Sequence, residues 1–366
     1  MIASDAERAL ELATAYTQQL EKSIVLYAGA NHASPRVREA LASELGAMPA
    51  MGRPWRKQQP GTEVTSALEE LVERQLCALF GANWAEARLP SATMANLAVY
   101  AAFCGPARPL MATSGAQGGH ASCLAGGTPS LLDIDVVEIP FHSEGRTVDE
   151  PAAIALLEAK RPGLVLLGTA LVLEVEYPRE LIAAARTLGV VVAYDASHVA
   201  GLIAGRKLDN PFDAGAHIVT ASTYKSFGGP PGGVIVGRDV AHAELLRPIV
   251  CPNLTSNYDA ARVLAISLAC SDATDYMAAY ADLMVSTADE LHRQLLARGL
   301  KLAPRGGRGR THQLFVEIGA EDAAIAAMQA LEHCNILSGI SRSPASPQVY
   351  GLRLGTQAIV RKKYGR

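Results

Sequence analysis

The chain has 366 residues, of which 49% are hydrophobic and 5% aromatic, and a formal net charge of −3. That length can bury a sizeable core and fits two domains, or one large α/β domain with a smaller companion. The slightly acidic balance gives no footprint for nucleic acid or an acidic membrane surface, and six scattered cysteines without a CxxC pair read as reduced thiols of a cytoplasmic protein, not metal ligands.

Residues 1–22, MIASDAERALELATAYTQQLEK, read as an acidic amphipathic helix without the basic and apolar blocks of a signal peptide. No apolar run approaches the roughly 20 residues of a membrane span. SALEELVERQLCALF (66–80) places Leu68, Leu71, Val72, Leu76, Leu79 and Phe80 on one helical face, with Ser66 and Glu69 as a capping box and Gly81 as the stop. Short apolar runs then alternate with helical stretches: GLVLLG (163–168), PRELIAAARTLG (178–189), VVVAYD (190–195), HIVTAS (217–222) and GVIVG (233–237). Continuous Val, Ile and Leu runs separated by helices predict strands of a mostly parallel sheet buried on both faces. After about residue 255 the pattern changes to long helices (260–298), a strand in THQLFVEIG (311–319), a helix over 320–334 and a last strand near GLRLG (351–355). The predicted organisation is an N-terminal helical segment (1–26), a large domain (27–255) and a small C-terminal α+β domain (256–366). The basic tract APRGGRGR (303–310) lacks interleaved aromatics and reads as a solvated loop.

In such sheets ligands sit beyond the carboxyl ends of the strands. Asp195 and the stretch Ser222–Lys225 both lie at strand ends, so they are expected to converge. In TASTYKSFGGPPGG (220–233), hydroxyls and glycines surround Lys225, a setting suited to a phosphorylated cofactor. A lysine amine can condense with an aldehyde when burial and nearby positive charge lower its pKa. Asp195 in YDASHVAG can pair with a pyridinium nitrogen; a helix cap is the other reading. PSATMANLAVY (90–100) runs from a hydroxyl-rich turn into an apolar helix, so Ser91, Ala92 and Thr93 make either an anion site or a plain N-cap. GLRLGT (351–356) sets Arg353 in an apolar strand, where its fork matches a carboxylate or an internal salt bridge. Together these features point to pyridoxal 5'-phosphate.

The same motifs resemble the serine hydroxymethyltransferase family of fold-type I pyridoxal-phosphate enzymes, from about residue 24 to the end. DASHVAGLIAG resembles its aspartate–histidine segment, HIVTASTYKSFGGPPGG its Schiff-base lysine segment and YGLRLGTQAI its substrate-carboxylate segment. PSATMANLAVYAAF and GGH (118–120) resemble its phosphate turn and cofactor-stacking histidine. The resemblance implies that Lys225 forms the Schiff base, Asp195 meets the pyridine nitrogen, His120 stacks on the ring and His198 lies near the phenolic oxygen. It implies that Ser91, Ala92, Thr93 and Ser222 surround the cofactor. Arg353 would hold the substrate carboxylate, and Gly232 and Gly233 would reach the phosphate across a homodimer interface.

The chain departs from that pattern at informative places. The family's Ser-Glu-Asn tripeptide falls on Gly29, Ala30 and Asn31, its acid–base glutamate on Met51, its tyrosine pair on Gln58 and Gln59, and the histidine before its lysine on Tyr224. Methionine cannot move a proton, so tetrahydrofolate-dependent transfer is doubtful. The chain also ends soon after Arg353, where the family continues with further helices; either the small domain is reduced or the sequence is a piece. The expected activity is folate-independent aldol cleavage or transaldol transfer on a β-hydroxy-α-amino acid, with an aldehyde as product or partner. Asn31 and His32 are candidate substrate contacts; His32, Tyr224 and His120 are candidate bases. The competing readings are an authentic hydroxymethyltransferase, another fold-type I reaction such as transamination, racemisation or decarboxylation, and a silent cofactor-binding paralogue.

Overall fold

Seven strands form the central sheet of the computed structural model, which describes residues 4–142, 147–343 and 345–363. Across the sheet they run Trp84–Leu89, Gly233–Gly237, Ile218–Ser222, Val191–Asp195, Leu164–Leu167, Leu110–Ala112 and Val136–Glu138. All neighbours are parallel except at one end, where Gly233–Gly237 pairs antiparallel with both of its neighbours. The expected mostly parallel α/β architecture is therefore present.

Side-chain alternation splits the core in two. Leu164 and Leu166 point into the cluster that contains Ala95, Val99 and Phe103 of the helix Ala92–Phe103. Val165 and Leu167 point to the opposite cluster, shared by helices Glu63–Phe80 and Ala260–Ala297. Continuous apolar strands follow from this, since neither face meets water.

The helix read from 66–80 starts earlier, at Glu63 after Thr62, and the Ser66–Glu69 capping box does not form. Ser66 Oγ donates instead to the Thr62 carbonyl and accepts from the Trp55 amide. Glu69 turns inward to a buried ion pair with Lys57, at 2.5 Å. Gly81 does end the helix, at φ 66°. The helical stretch 260–298 is one helix of 38 residues, whose buried side chains from Ala260 to Val285 mostly join the large core.

A three-stranded antiparallel sheet, ordered Gln313–Gly319, Ser346–Gly355, Gly339–Ser343, forms the smaller unit with helix Glu321–His333. The N-terminal segment is stitched to it: Ile24–Val25 pairs with Ile336–Leu337, and Tyr27 bridges Leu354. Helix Asp5–Lys22 precedes this stitch and buries no residue; the first three residues of its expected span and residues 364–366 lie outside the described residues. The basic tract is a loop as expected, but Arg305 is not solvated. Its guanidinium is buried on Asp289 and on the Gln313 and Thr311 carbonyls. Among the described residues no helix is long and apolar enough to cross a membrane, and no group of three or more His, Cys, Asp or Glu is placed to hold a metal.

Candidate active site

The strand Val191–Asp195 ends in an acidic residue because its last position passes beyond the apolar layer. Asp195 pairs in register with Thr220 of the next strand, so alternation turns both toward the helix Ala92–Phe103. There they meet a cavity at the carboxyl ends of the parallel strands. Its walls include Ser91, Ala92, Thr93, His120, Asp195, His198, Ser222, Tyr224 and Lys225. Nine residues predicted from separate motifs thus line one space.

Lys225 is 8% exposed and its Nζ lies 3.1 Å from Nε2 of His198, itself 4% exposed. Burial pushes the lysine below its ordinary pKa; Asp195 opposes this and Arg353 adds to it. Burial also drives His198 well below its usual range, reinforced by the charges of Lys225 and Arg353. At neutral pH His198 is therefore a neutral ring that shares a hydrogen bond with the amine through Nε2, and its Nδ1 is buried without a hydrogen-bond partner. His120 is lowered by burial and then by Lys225; its Nδ1 lies 2.8 Å from Ser122 Oγ. The Tyr224 hydroxyl is raised by burial and by Tyr27, against a hydrogen bond with Ser222.

Ser91 caps the helix Ala92–Phe103 by accepting from the Met94 amide, at 3.2 Å. The Ala92 and Thr93 amides at the helix start have no intrahelical partner, and both residues line the cavity. Gly233 packs behind this turn: a Cβ on it would lie 2.1 Å from the Ser91 carbonyl oxygen. Gly233 is a ladder residue between Ser222 and Leu89, and neither it nor Gly232 lines the cavity of its own chain.

Arg353 lies in the middle strand of the small sheet, opposite Phe315 and Gly339. Leu352 and Leu354 point into the small core, so Arg353 points the other way, toward the large unit. It donates to the carbonyl of Ala170, a cavity residue, at 2.9 Å and leaves its Nε buried without a partner. Its guanidinium carbon lies 5.9 Å from the Tyr27 ring centroid.

Asn31 and His32 do not reach the cavity. Asn31 Nδ2 donates to the Lys225 carbonyl and to the Tyr280 hydroxyl, and Asn31 Oδ1 accepts from the His32 amide. The His32 ring is pushed down in pKa by burial and by Lys362, Arg38 and Arg361. Both belong to the brace beneath the lysine loop, because the chain turns there toward the C-terminal helix Gln357–Arg361, whose Arg361 donates to the His32 carbonyl. Met51 also lies outside the cavity, and Gln59 closes its own hairpin by accepting from the Met51 amide.

Sequence reasoning missed Asn96 and Tyr27. Asn96 is 2% exposed and donates to Asp195 Oδ2 at 2.8 Å. A buried amide within an apolar helix was the available signal. Tyr27 lies against Gly29 and Gly339, where a Cβ would meet its ring at 3.0 and 2.8 Å. Glycine at position 29 thus leaves room for that ring beside Arg353.

A family model for serine hydroxymethyltransferase matches residues 2–366. An alpha-methylserine aldolase of Variovorax paradoxus is 35% identical over 340 residues, covering 90% of this chain and 76% of the relative. A serine hydroxymethyltransferase of Methanopyrus kandleri is 33% identical, over 94% of this chain and 82% of its own. The crystal structure of an L-threonine transaldolase from Pseudomonas fluorescens, in its internal aldimine state, superposes with a TM-score of 0.90. It shares 26% identity and covers 97% of this chain and 83% of its own.

Proposed function

We propose that this chain, which belongs to the serine hydroxymethyltransferase family, is a pyridoxal-phosphate enzyme that breaks the Cα–Cβ bond of a β-hydroxy-α-amino acid without folate. It releases an aldehyde, or passes the amino-acid carbon to a second aldehyde. The observation that carries this reading is the buried Lys225 amine paired with a neutral imidazole and set in one cavity with Asp195. The absence of a titratable side chain at Met51, Gln58 and Gln59 supports independence from folate.

The residues fit the cofactor. An amine of lowered basicity stands ready to hold its aldehyde carbon, the Ala92 and Thr93 amides with the Ser91 and Thr93 hydroxyls suit a phosphate, and Asp195 suits a protonated ring nitrogen. When bound, pyridoxal phosphate supplies an electron sink for the pair released as the Cα–Cβ bond breaks. The chain's residues provide the rest. Arg353 would bind the α-carboxylate through its planar fork and so orient the substituents at Cα. His120 offers a ring face for stacking. The substrate's β-hydroxyl gives up its proton, its carbon leaves as a carbonyl, and Cα takes a proton in return. His120 and Tyr224, both cavity residues, are the groups we assign to move those protons; His32 does not line the cavity and is not assigned.

A homodimer is part of the same reading. The helix Asp5–Lys22 leaves Leu10, Leu12 and Tyr16 more than half exposed, and Trp55 is exposed on the hairpin next to Met51. These apolar groups support burial against a second copy. Six free thiols support a cytoplasmic location.

The test is aldehyde release by the cofactor-loaded protein from α-methylserine, L-threonine, L-allo-threonine and L-serine, with and without tetrahydrofolate. Release from at least one substrate, indifferent to folate, is expected. Cleavage of serine only in the presence of folate would replace this reading with hydroxymethyl transfer. No release from any of the four would overturn the aldol assignment for these substrates.

A further inference from the structure

Asn96 lies one turn into the helix Ala92–Phe103, and its amide is the middle of a buried hydrogen-bond chain. Thr220 Oγ1 donates to Asn96 Oδ1 at 2.6 Å, and Asn96 Nδ2 donates to Asp195 Oδ2 at 2.8 Å. The other carboxylate oxygen, Oδ1, accepts from the Ser197 amide at 2.9 Å. Asn96 Nδ2 also lies 3.8 Å from Cys123 Sγ. Thr220 is 0% exposed and Asn96 2%, so water has no access to substitute for either partner.

This chain runs in only one direction. A carboxylate accepts and never donates, so the NH₂ of Asn96 must face Asp195. Its oxygen then faces Thr220, whose hydroxyl must donate. Thr220 is β-branched and held in a strand, which restricts its rotamer, and strand register sets it beside Asp195. With one donor fixed on each oxygen, the carboxylate cannot rotate freely, and its remaining lone pairs keep one direction.

We propose that Asn96, oriented by Thr220, is the positioning residue that aims Asp195 at the ring nitrogen of the bound cofactor; this rests on the pyridoxal-phosphate reading above. Asn96 acts through Asp195. Removing it frees one carboxylate oxygen while leaving the helix, the phosphate turn and Lys225 in place.

The experiment titrates the visible absorption of bound pyridoxal phosphate with pH, and measures its dissociation constant, in the native protein and in Asn96→Ala, Thr220→Val and Thr220→Ser. Asn96→Ala is expected to weaken cofactor binding about tenfold, the scale of one lost hydrogen bond to a charged group, and to displace the pH midpoint of the absorption change. Thr220→Val is expected to move both in the same direction by less, and Thr220→Ser, which keeps the hydroxyl, to return the native midpoint. A folded Asn96→Ala protein with native midpoint and affinity overturns the proposal and leaves the cofactor assignment standing. Thr220→Ser behaving like Thr220→Val also overturns it, because packing would then explain the effect; this pair decides if Asn96→Ala does not fold. A native protein that takes up no pyridoxal phosphate overturns the cofactor reading and the proposal together.

Discussion

Asn31 donates a 2.7 Å hydrogen bond to the backbone carbonyl of Lys225, 194 residues later in the chain. The same amide group reaches the Tyr280 hydroxyl at 2.9 Å, which donates to the Gln357 carbonyl at 2.8 Å. One side chain therefore ties the N-terminal segment, the lysine loop and the long helix together, and the C-terminal helix through Tyr280. Asn31→Ala is expected to cost about 1–3 kcal/mol, the scale of two lost hydrogen bonds; the Gly228 amide still donates to the Lys225 carbonyl and Tyr280 still donates to the Gln357 carbonyl. Urea unfolding would measure the loss, and the amino-acid KM should change less than twofold. Unchanged stability with a raised KM would instead place Asn31 against the substrate.

Among the described residues, Lys225 is the one amine in the cavity walls. Lys225→Ala should lower aldehyde release by about a thousandfold or more, the scale for losing a group that acts covalently. It should also abolish covalent fixation of pyridoxal phosphate by borohydride. If labelling persists at another lysine, the assignment of Lys225 is wrong.

The turn at Ser91, Ala92 and Thr93, proposed above to hold the phosphate, depends on a residue outside the cavity. Because a Cβ at Gly233 would lie 2.1 Å from the Ser91 carbonyl oxygen and 2.3 Å from its carbon, Gly233→Ala must displace the start of the helix Ala92–Phe103. Overpacking of this kind costs about 1–3 kcal/mol. Weaker retention of pyridoxal phosphate on dialysis should accompany the loss in thermal stability. Native retention would show that the turn tolerates the shift and that its amides do not hold the phosphate.

Acid should destabilise the fold through buried histidines. His312 is 0% exposed with neither ring nitrogen paired, and burial, then Arg305 and Arg353, push it down to about 3. His198 is depressed as well. An unfolded histidine titrates near about 6.5. Between that value and about 3, the unfolded chain binds protons that the folded chain refuses, so stability rises with pH. The contribution is complete above about pH 6.5 and is lost as pH falls through that window, at up to about 1.4 kcal/mol per pH unit for each group. His312→Asn should flatten the dependence of unfolding free energy on pH between about 7 and 5 by up to one proton. An unchanged slope would mean that His312 is not the group that refuses the proton.

The cavity positions of the lysine, the aspartate and the hydroxyl-rich turn, and the buried parallel strands, were legible in sequence because each is a local pattern. An apolar run, a strand-end acid or a hydroxyl-rich turn is written in a few adjacent residues. The helix start at Glu63 was misread for a similarly local reason: Ser66 and Glu69 have cap spacing, but Trp55 and Lys57 compete for them from a hairpin that spacing does not reveal.

What the tertiary structure alone decided is which distant groups complete each site. Thr220 and Asn96 share a hydrogen bond across 124 residues, and Asn31 braces the lysine loop from 194 residues away. Arg353 is a strand residue by pattern, but its proximity to the cavity depends on how the small sheet docks and on the Ala170 carbonyl it meets there. A buried polar group must find its partner wherever the packed elements place it. That partner is set by register and docking between elements far apart in the chain, so a pattern within one segment cannot name it.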